Sequence, residues 1–211
     1  MKLVIFDCDG VLVDSEPLVN RIEAEYFTQL GVPMSAQEAC ARFKGKTVDQ
    51  VAEALEQQIG RALPVTFGYE WAMGTALALV RELQPVAGIR NLIERVRAAG
   101  VQTCVASQSP SARVRLSLRV TGLEPYFGDR VFTAEMAARP KPAPDLFLLA
   151  AQRMGVCPQD AVVVEDSPGG VRAATAAGMR VYGYAAAEDA AALRDAGAQV
   201  FFSMDELELI S

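Results

Sequence analysis

Histidine is missing from this 211-residue sequence, and its absence removes several kinds of active site. No serine or cysteine nucleophile can be activated by an imidazole, and no zinc site can contain one. Cysteine is also scarce: the four thiols are scattered, without a C-x-x-C pair, at positions 8, 40, 104 and 157. That spacing disfavours zinc and a disulfide framework, so we expect buried thiols of a cytoplasmic protein.

Excess positive charge and long apolar runs are absent as well. The net charge is −6 and the pI about 4.8, so nothing electrostatic favours a nucleic-acid partner. No apolar run approaches the ~20 residues of a membrane span. We also expect no secretion leader, because no basic and apolar leader pattern precedes the first strand. We expect a soluble, cytoplasmic protein with no nucleic-acid or membrane partner. These features leave the oligomeric state open, and we favour a monomer.

What is present begins with a buried strand that ends in two acids. Residues 3–6 form a continuous apolar run, typical of a strand buried on both faces. Asp7 and Asp9 follow, and residues two apart on an extended chain point the same way. Two carboxylates so close repel each other unless a cation lies between them, and Mg²⁺ is the natural partner. A solvated acidic turn is the alternative for an isolated pair.

Two kinds of pattern divide the chain. Residues 15–85 carry helical periodicity only, with about four helices, whereas residues from 86 onward alternate strands with helices. Alternation of this kind predicts a parallel sheet with helices on both faces. We therefore predict an α/β fold, with a Rossmann-like catalytic core of residues 1–14 and 86–211 and an inserted helical-bundle cap of residues 15–85. Residues 114–120 alternate like a strand, but Ser109-Pro110 and Gly122 favour a helix there.

Ligands of parallel sheets bind beyond the carboxyl ends of the strands. Four predicted strand ends carry polar side chains, namely Asp7 with Asp9, Ser107 with Gln108, Lys141, and Glu165 with Asp166. Each has an ordinary alternative: Ser107 could cap a helix, Lys141 could lie on the surface, and Asp166 or Ser167 could cap the next helix. The set together is much more specific than any one member.

These residue types suit phosphoryl transfer. A carboxylate such as Asp7 can attack phosphorus and form an aspartyl-phosphate. Asp9 can protonate the leaving oxygen and then deprotonate the attacking water. Mg²⁺, held by Asp7, Asp166 and a main-chain carbonyl near Asp9, would neutralise charge, while Lys141 and Ser107 would bind phosphoryl oxygens. The sequence thus predicts a small phosphorylated substrate.

The stretch from Asp7 to Glu16, together with Ser107, Lys141 and 165–167, resembles in order the four motifs of the haloacid dehalogenase superfamily. The helical block is similar to the cap shared by β-phosphoglucomutases and many small-molecule phosphatases. The resemblance implies a Rossmann-like core, Mg²⁺ dependence, Asp7 as nucleophile and Asp9 as general acid and base. It also implies a metal site drawn from Asp7, Asp9, Asp166 and Glu165, the last binding directly or through a neighbour.

Departures within the family select among activities. Asp9 argues against dehalogenation, because haloalkanoic dehalogenases generally lack it. Val19 and Val48 stand where the mutases carry a histidine and a phosphate-gripping arginine, so hydrolysis is favoured over mutase activity. Lys44 and Lys46 are candidates for contact with an anionic substrate or, equally, a solvated pair.

A phospho-accepting signalling module is a less favoured alternative, because the order of its acids differs and it has no inserted helices. A catalytically inactive metal-binding relative ranks last, since every catalytic position is filled.

Overall fold

A computed structural model describes residues 1–43, 46–185 and 190–209. The chain divides into two compact units, one made of Met1–Asp14 with Gln84–Ser211 and the other of Ser15–Leu83. The second boundary lies two residues before the predicted one at 85/86. Its position has a structural reason, because the Asp14 amide already donates to the Gln84 carbonyl at 3.0 Å.

The first unit is built around a parallel sheet. Within the described residues, six strands pair in the order β3-β2-β1-β4-β5-β6, and every pairing is parallel. The strands are β1 (Leu3–Phe6), β2 (Gln102–Ser107), β3 (Val131–Thr133), β4 (Ala161–Glu165), β5 (Arg180–Tyr184) and β6 (Gln199–Phe201). All four residues of β1 are fully buried, as its continuous apolar run predicts.

Helices connect the strands of this unit. They are α5 (Ile89–Ala98), α6 (Ser111–Val120), α7 (Glu124–Phe127), α8 (Asp145–Arg153), α9 (Pro168–Ala176) and α10 (Ala190–Ala196). A core of small and branched side chains packs between helices and sheet. The ambiguous segment 114–120 is helical, as predicted, although the helix begins at Ser111 with Pro110 at its N-cap position.

The order of the strands determines where the sheet has a crevice for a ligand. The strands β2 and β3 lie on one side of β1, and β4, β5 and β6 lie on the other, so the order in which strands are added reverses at β1. Such a switch point opens a crevice at the carboxyl ends of the strands. Phe6 is level with Val105 of β2 and with Val164 of β4. The residues that follow these three positions therefore emerge side by side.

The second unit is entirely helical in its described part. It contains α1 (Glu16–Gln29), α2 (Ala36–Phe43), α3 (Val48–Ile59) and α4 (Phe67–Glu82). Phe27 is fully buried at the centre of an aromatic cluster, with its ring 5.3 Å from that of Phe43 and 5.4 Å from that of Trp71, both edge-on. This unit therefore has an apolar core of its own.

The predicted fold class is confirmed: the protein is α/β, with a Rossmann-like parallel sheet and an inserted bundle of helices. No helix in the described part of the chain combines the length and apolar character needed to cross a bilayer.

Candidate active site

Lys141 and Asp7 form a buried ion pair at the switch point. The Lys141 ammonium donates to Asp7 Oδ1 at 2.6 Å and to Glu165 Oε1 at 2.7 Å. It also donates to the Ala106 carbonyl at 3.1 Å. The lysine side chain is 3% exposed, so solvent barely screens these interactions. The carboxyl ends of three neighbouring strands, β1, β2 and β4, thus each place a partner beside one cation.

Burial and the charge of the ion-pair partner shift the pKa of each residue in opposite directions. Burial raises the pKa of Asp7 to about 7, although the positive charge of Lys141 pulls it down. Burial alone would lower the pKa of Lys141, but the charges of Asp7 and Glu165 outweigh it and raise that pKa above the usual value. Lys141 therefore stays protonated, and a single ammonium does not fully compensate the burial of the Asp7 carboxylate.

Glu165 is a structural anchor as well as a charge. Its second oxygen, Oε2, accepts from the Asp166 amide at 2.9 Å and from the Ser167 amide and hydroxyl at 2.8 and 2.9 Å. The carboxylate also fills the place that a side chain at Gly170 would need. Both oxygens thus accept hydrogen bonds within the protein, so Glu165 orients Lys141 and the start of α9.

Asp166 lies against the loop that follows β1. Its carboxylate occupies the space where a Cβ at position 10 would stand, which explains why that residue is Gly10. Gly10 also has a φ of +79°, which favours glycine. Ser167, not Asp166, caps α9, since its hydroxyl accepts from the Gly170 amide at 3.0 Å. Asp166 is therefore held beside the loop that carries Asp7.

Asp9 has partners that the sequence interpretation missed. Ser109 Oγ donates to Asp9 Oδ2 at 2.6 Å, and Arg113 Nη2 donates to Oδ1 at 3.1 Å. Both donors follow β2, about a hundred residues away in sequence. A signal was present, because both residues follow the predicted Ser107 closely, Ser109 just before α6 and Arg113 in its first turn.

Ser107 and Gln108 follow β2 with different exposure. Ser107 is 1% exposed, and its Oγ accepts from the Ser109 amide at 3.1 Å. Its hydroxyl proton remains able to donate to another acceptor. Gln108 is exposed. The predicted substrate contact of Ser107 is thus compatible with its position at the end of β2, while Gln108 projects from that end.

Two lysines of the helical unit, Lys44 and Lys46, are the candidates for contact with the substrate. Lys44 lies outside the described residues. Lys46 is exposed, and its ammonium lies 5.6 Å from the centre of the Phe43 ring. A role of either in substrate binding stays a prediction.

The Mg²⁺ site that the resemblance implies, drawn from Asp7, Asp9, Asp166 and Glu165, stays a prediction. In residues 1–43, 46–185 and 190–209, no three histidine, cysteine, aspartate or glutamate side chains cluster as a metal site. Each of three carboxylates accepts hydrogen bonds from protein donors: Asp7 and Glu165 from Lys141, and Asp9 from Ser109 and Arg113. Mg²⁺ commonly takes only one or two protein carboxylates and keeps several waters. The carboxylates of Asp7, after β1, and of Asp166, which lies against the loop that follows β1, suit such an ion.

Comparison with known proteins gives concordant results. A family model described as haloacid dehalogenase-like hydrolase matches residues 1–178. The 6-phosphogluconate phosphatase of Escherichia coli (strain K12) is 29% identical over 187 residues, which cover 88% of this chain and 83% of that protein. The phosphorylated carbohydrates phosphatase of Thermotoga maritima is 32% identical over 213 residues, covering 98% of this chain and 96% of that protein.

A solved structure is similar over nearly the full length of the chain. The crystal structure of a putative beta-phosphoglucomutase from Thermotoga maritima superposes with a TM-score of 0.86 at 29% identity. The match covers 98% of this chain and 96% of the other. The similarity therefore includes both the sheet unit and the helical unit.

Proposed function

The chain belongs to the haloacid dehalogenase-like hydrolases, and on that premise we propose that it is a Mg²⁺-dependent phosphatase of small phosphorylated metabolites. The observation that carries this proposal is the buried contact between Asp7 and Lys141 at the switch point. The two similar phosphatases are named for 6-phosphogluconate and for phosphorylated carbohydrates. A sugar phosphate or sugar-acid phosphate is therefore the substrate class that we infer. A cytoplasmic monomer is the state that we expect.

In the first half-reaction, an Asp7 oxygen forms a bond to phosphorus while the bond from phosphorus to the leaving oxygen breaks. Asp9 gives its proton to that leaving oxygen. Lys141 holds Asp7 in place at 2.6 Å and neutralises charge that develops on the phosphoryl group. The Ser107 hydroxyl donates to a phosphoryl oxygen. The product is an aspartyl-phosphate and a free alcohol.

In the second half-reaction, Asp9 removes a proton from a water molecule as the water attacks phosphorus. The bond between Asp7 and phosphorus breaks, and inorganic phosphate leaves. A Mg²⁺ ion held by Asp7, Asp166 and a main-chain carbonyl near Asp9 would supply charge neutralisation in both steps. The uncompensated burial of Asp7 supports this assignment, because a divalent cation favours the ionised carboxylate.

Mutase activity is the second candidate, since the similar crystal structure is called a putative beta-phosphoglucomutase. A mutase must hold a second phosphate group while its intermediate turns over. Val48 stands where the family's mutases carry an arginine, and its apolar side chain, 46% exposed, packs toward the backbone at Gly68. A valine offers no donor for a phosphate. Hydrolysis is therefore the activity that we favour.

The test is a panel of phosphorylated sugars, polyols and sugar acids assayed with Mg²⁺ for release of phosphate and for isomer formation. We expect phosphate release that requires Mg²⁺ and is abolished in Asp7→Asn, with deamidation excluded by mass spectrometry. Isomer formation without net phosphate release would favour the mutase, and Mg²⁺-independent turnover or an active Asp7→Asn variant would contradict the proposal.

A further inference from the structure

Each oxygen of the Asp9 carboxylate has its own donor from the segment after β2. Ser109 Oγ donates to Oδ2 at 2.6 Å, and Arg113 Nη2 donates to Oδ1 at 3.1 Å. Because the two donors hold different oxygens, the carboxylate cannot rotate about its last bond without losing at least one contact. Charge-assisted hydrogen bonds of this type are stronger than neutral ones and fix geometry as well as charge. Ser109 and Arg113 therefore set the orientation of Asp9.

The two donors follow β2 in the sheet unit. The Ser109 amide donates to Ser107 Oγ at the end of β2, and Arg113 lies in the first turn of α6. Strand β2 pairs in parallel with β1, which carries Asp7 at its end. Ser109 and Arg113, which hold Asp9, and the Asp7 carboxylate thus follow neighbouring strands of the same sheet.

Stability does not explain an arginine at position 113. The Nε atom of Arg113 is buried and has no hydrogen-bond partner among the residues that the structure describes. A buried donor without a partner opposes folding. The ion pair with Asp9 is partly exposed, at 33% for Arg113 and 23% for Asp9, and such pairs stabilise proteins little. The arginine is better explained by its effect on Asp9.

We propose that Arg113 is a positioning residue that, together with Ser109, holds the Asp9 carboxylate in the orientation needed for proton exchange with the leaving oxygen and with water. The inference rests on the proposed phosphatase function. Arg113 acts through Asp9 and not through the substrate. Its importance should therefore depend on whether the leaving group needs a proton.

Two substrates separate this role from a general structural one. One is the sugar phosphate that the wild type hydrolyses fastest, whose alkoxide leaving group must be protonated. The other is 4-nitrophenyl phosphate, whose leaving group is stable as an anion. The constant kcat/KM reports the barrier from free enzyme and substrate to the first irreversible step, which here is transfer to Asp7. Protonation by Asp9 matters in that step for the sugar phosphate and little for the aryl phosphate.

We expect Arg113→Gln to lower kcat/KM for the sugar phosphate about 10- to 100-fold, the size of effect that a misplaced catalytic group produces. The loss for 4-nitrophenyl phosphate should be a much smaller factor. Arg113→Lys, which keeps a cation but offers one point of contact, should recover part of the difference. Ser109→Ala should shift the ratio of the two constants in the same direction.

Arg115→Gln is the matched control. Arg115 lies on the same helix, is 41% exposed, and faces Asp129 at 3.8 Å, away from Asp9. It should leave both constants at wild-type values. Equal losses for both substrates in Arg113→Gln, no loss for either, or a change in KM alone would overturn the inference while the wild-type phosphatase activity stands. A wild type inactive on both substrates would instead overturn the proposed function, and this inference with it.

Discussion

Replacing Glu165 with glutamine tests how much of the site depends on one buried carboxylate. The change keeps the size of the side chain and removes its charge. Glu165 is 1% exposed, and its oxygens accept four hydrogen bonds, one from Lys141 and three from the first residues after β4. Glutamine has a single acceptor oxygen. If that oxygen keeps the three bonds after β4, the amide group meets the Lys141 ammonium, donor against donor.

The magnitude follows from these contacts. Removing one partner of a buried ion pair typically destabilises a protein by about 3–5 kcal/mol. Lys141 keeps its bonds to Asp7 and to the Ala106 carbonyl, so we place the loss near the lower end, about 3 kcal/mol. Activity should fall as well, because the ammonium loses one of the groups that fix it beside Asp7.

Chemical denaturation measures the loss of stability, read from the midpoint at an unchanged denaturant slope. Asp160→Asn is the matched control, since Asp160 precedes the same strand and pairs with Lys2 in solvent at 2.8 Å. It should leave the midpoint where it is. If Glu165→Gln unfolds within about 1 kcal/mol of the wild type, which is the range of an exposed pair, the anchoring role of Glu165 is wrong.

Three further predictions follow from the structure. Gly10→Ala should displace the Asp166 carboxylate and so raise the Mg²⁺ concentration that gives half-maximal activity. Gly100→Ala is its control, because Gly100 has a similar φ of +75° and open space around it. That variant should strain the backbone by about 1–2 kcal/mol and leave the Mg²⁺ dependence unchanged. Phe27→Ala should destabilise the helical unit by about 3–5 kcal/mol in thermal or chemical unfolding, and a loss below about 1 kcal/mol would contradict its central place in that core. With a chelator present, the wild type should lose stability relative to Asp7→Asn as the pH rises from 5 to 8. The reason is that burial holds the pKa of Asp7 in the folded protein at about 7, above its unfolded value of about 3.9. A difference in denaturation midpoint that stays constant over this pH range would refute the prediction.

Much of the fold could be predicted because its signals are local. The apolar run of β1, the glycines that end helices and the change from helical to alternating periodicity each involve only a few neighbouring residues. Parallel strands then bring their carboxyl ends to one edge, so Asp7, Ser107 and Glu165 could be expected together. The contacts of Lys141 with Asp7 and Glu165 agree with that expectation.

The partners of individual oxygens could not be predicted in this way. Whether Glu165 faces an ion or the protein depends on the turn of the chain between β4 and α9, where two amides converge on its Oε2. The grip of Arg113 on Asp9 depends on how α6 leaves β2, and it joins residues 104 positions apart. Such contacts are set by packing and not by periodicity.

The most direct test of the account is to trap the phosphoryl group on Asp7. In Asp9→Asn, 4-nitrophenyl phosphate should still phosphorylate the enzyme, because its leaving group needs no proton, while hydrolysis of the intermediate stalls for want of a base. The enzyme is quenched in acid during the first turnover, and its peptides are analysed by mass spectrometry. We predict one phosphoryl group per molecule on the peptide that contains Asp7, and none in Asp7→Asn. Steady release of phosphate by Asp9→Asn with no burst of nitrophenol and no phosphorylated Asp7 would contradict the account.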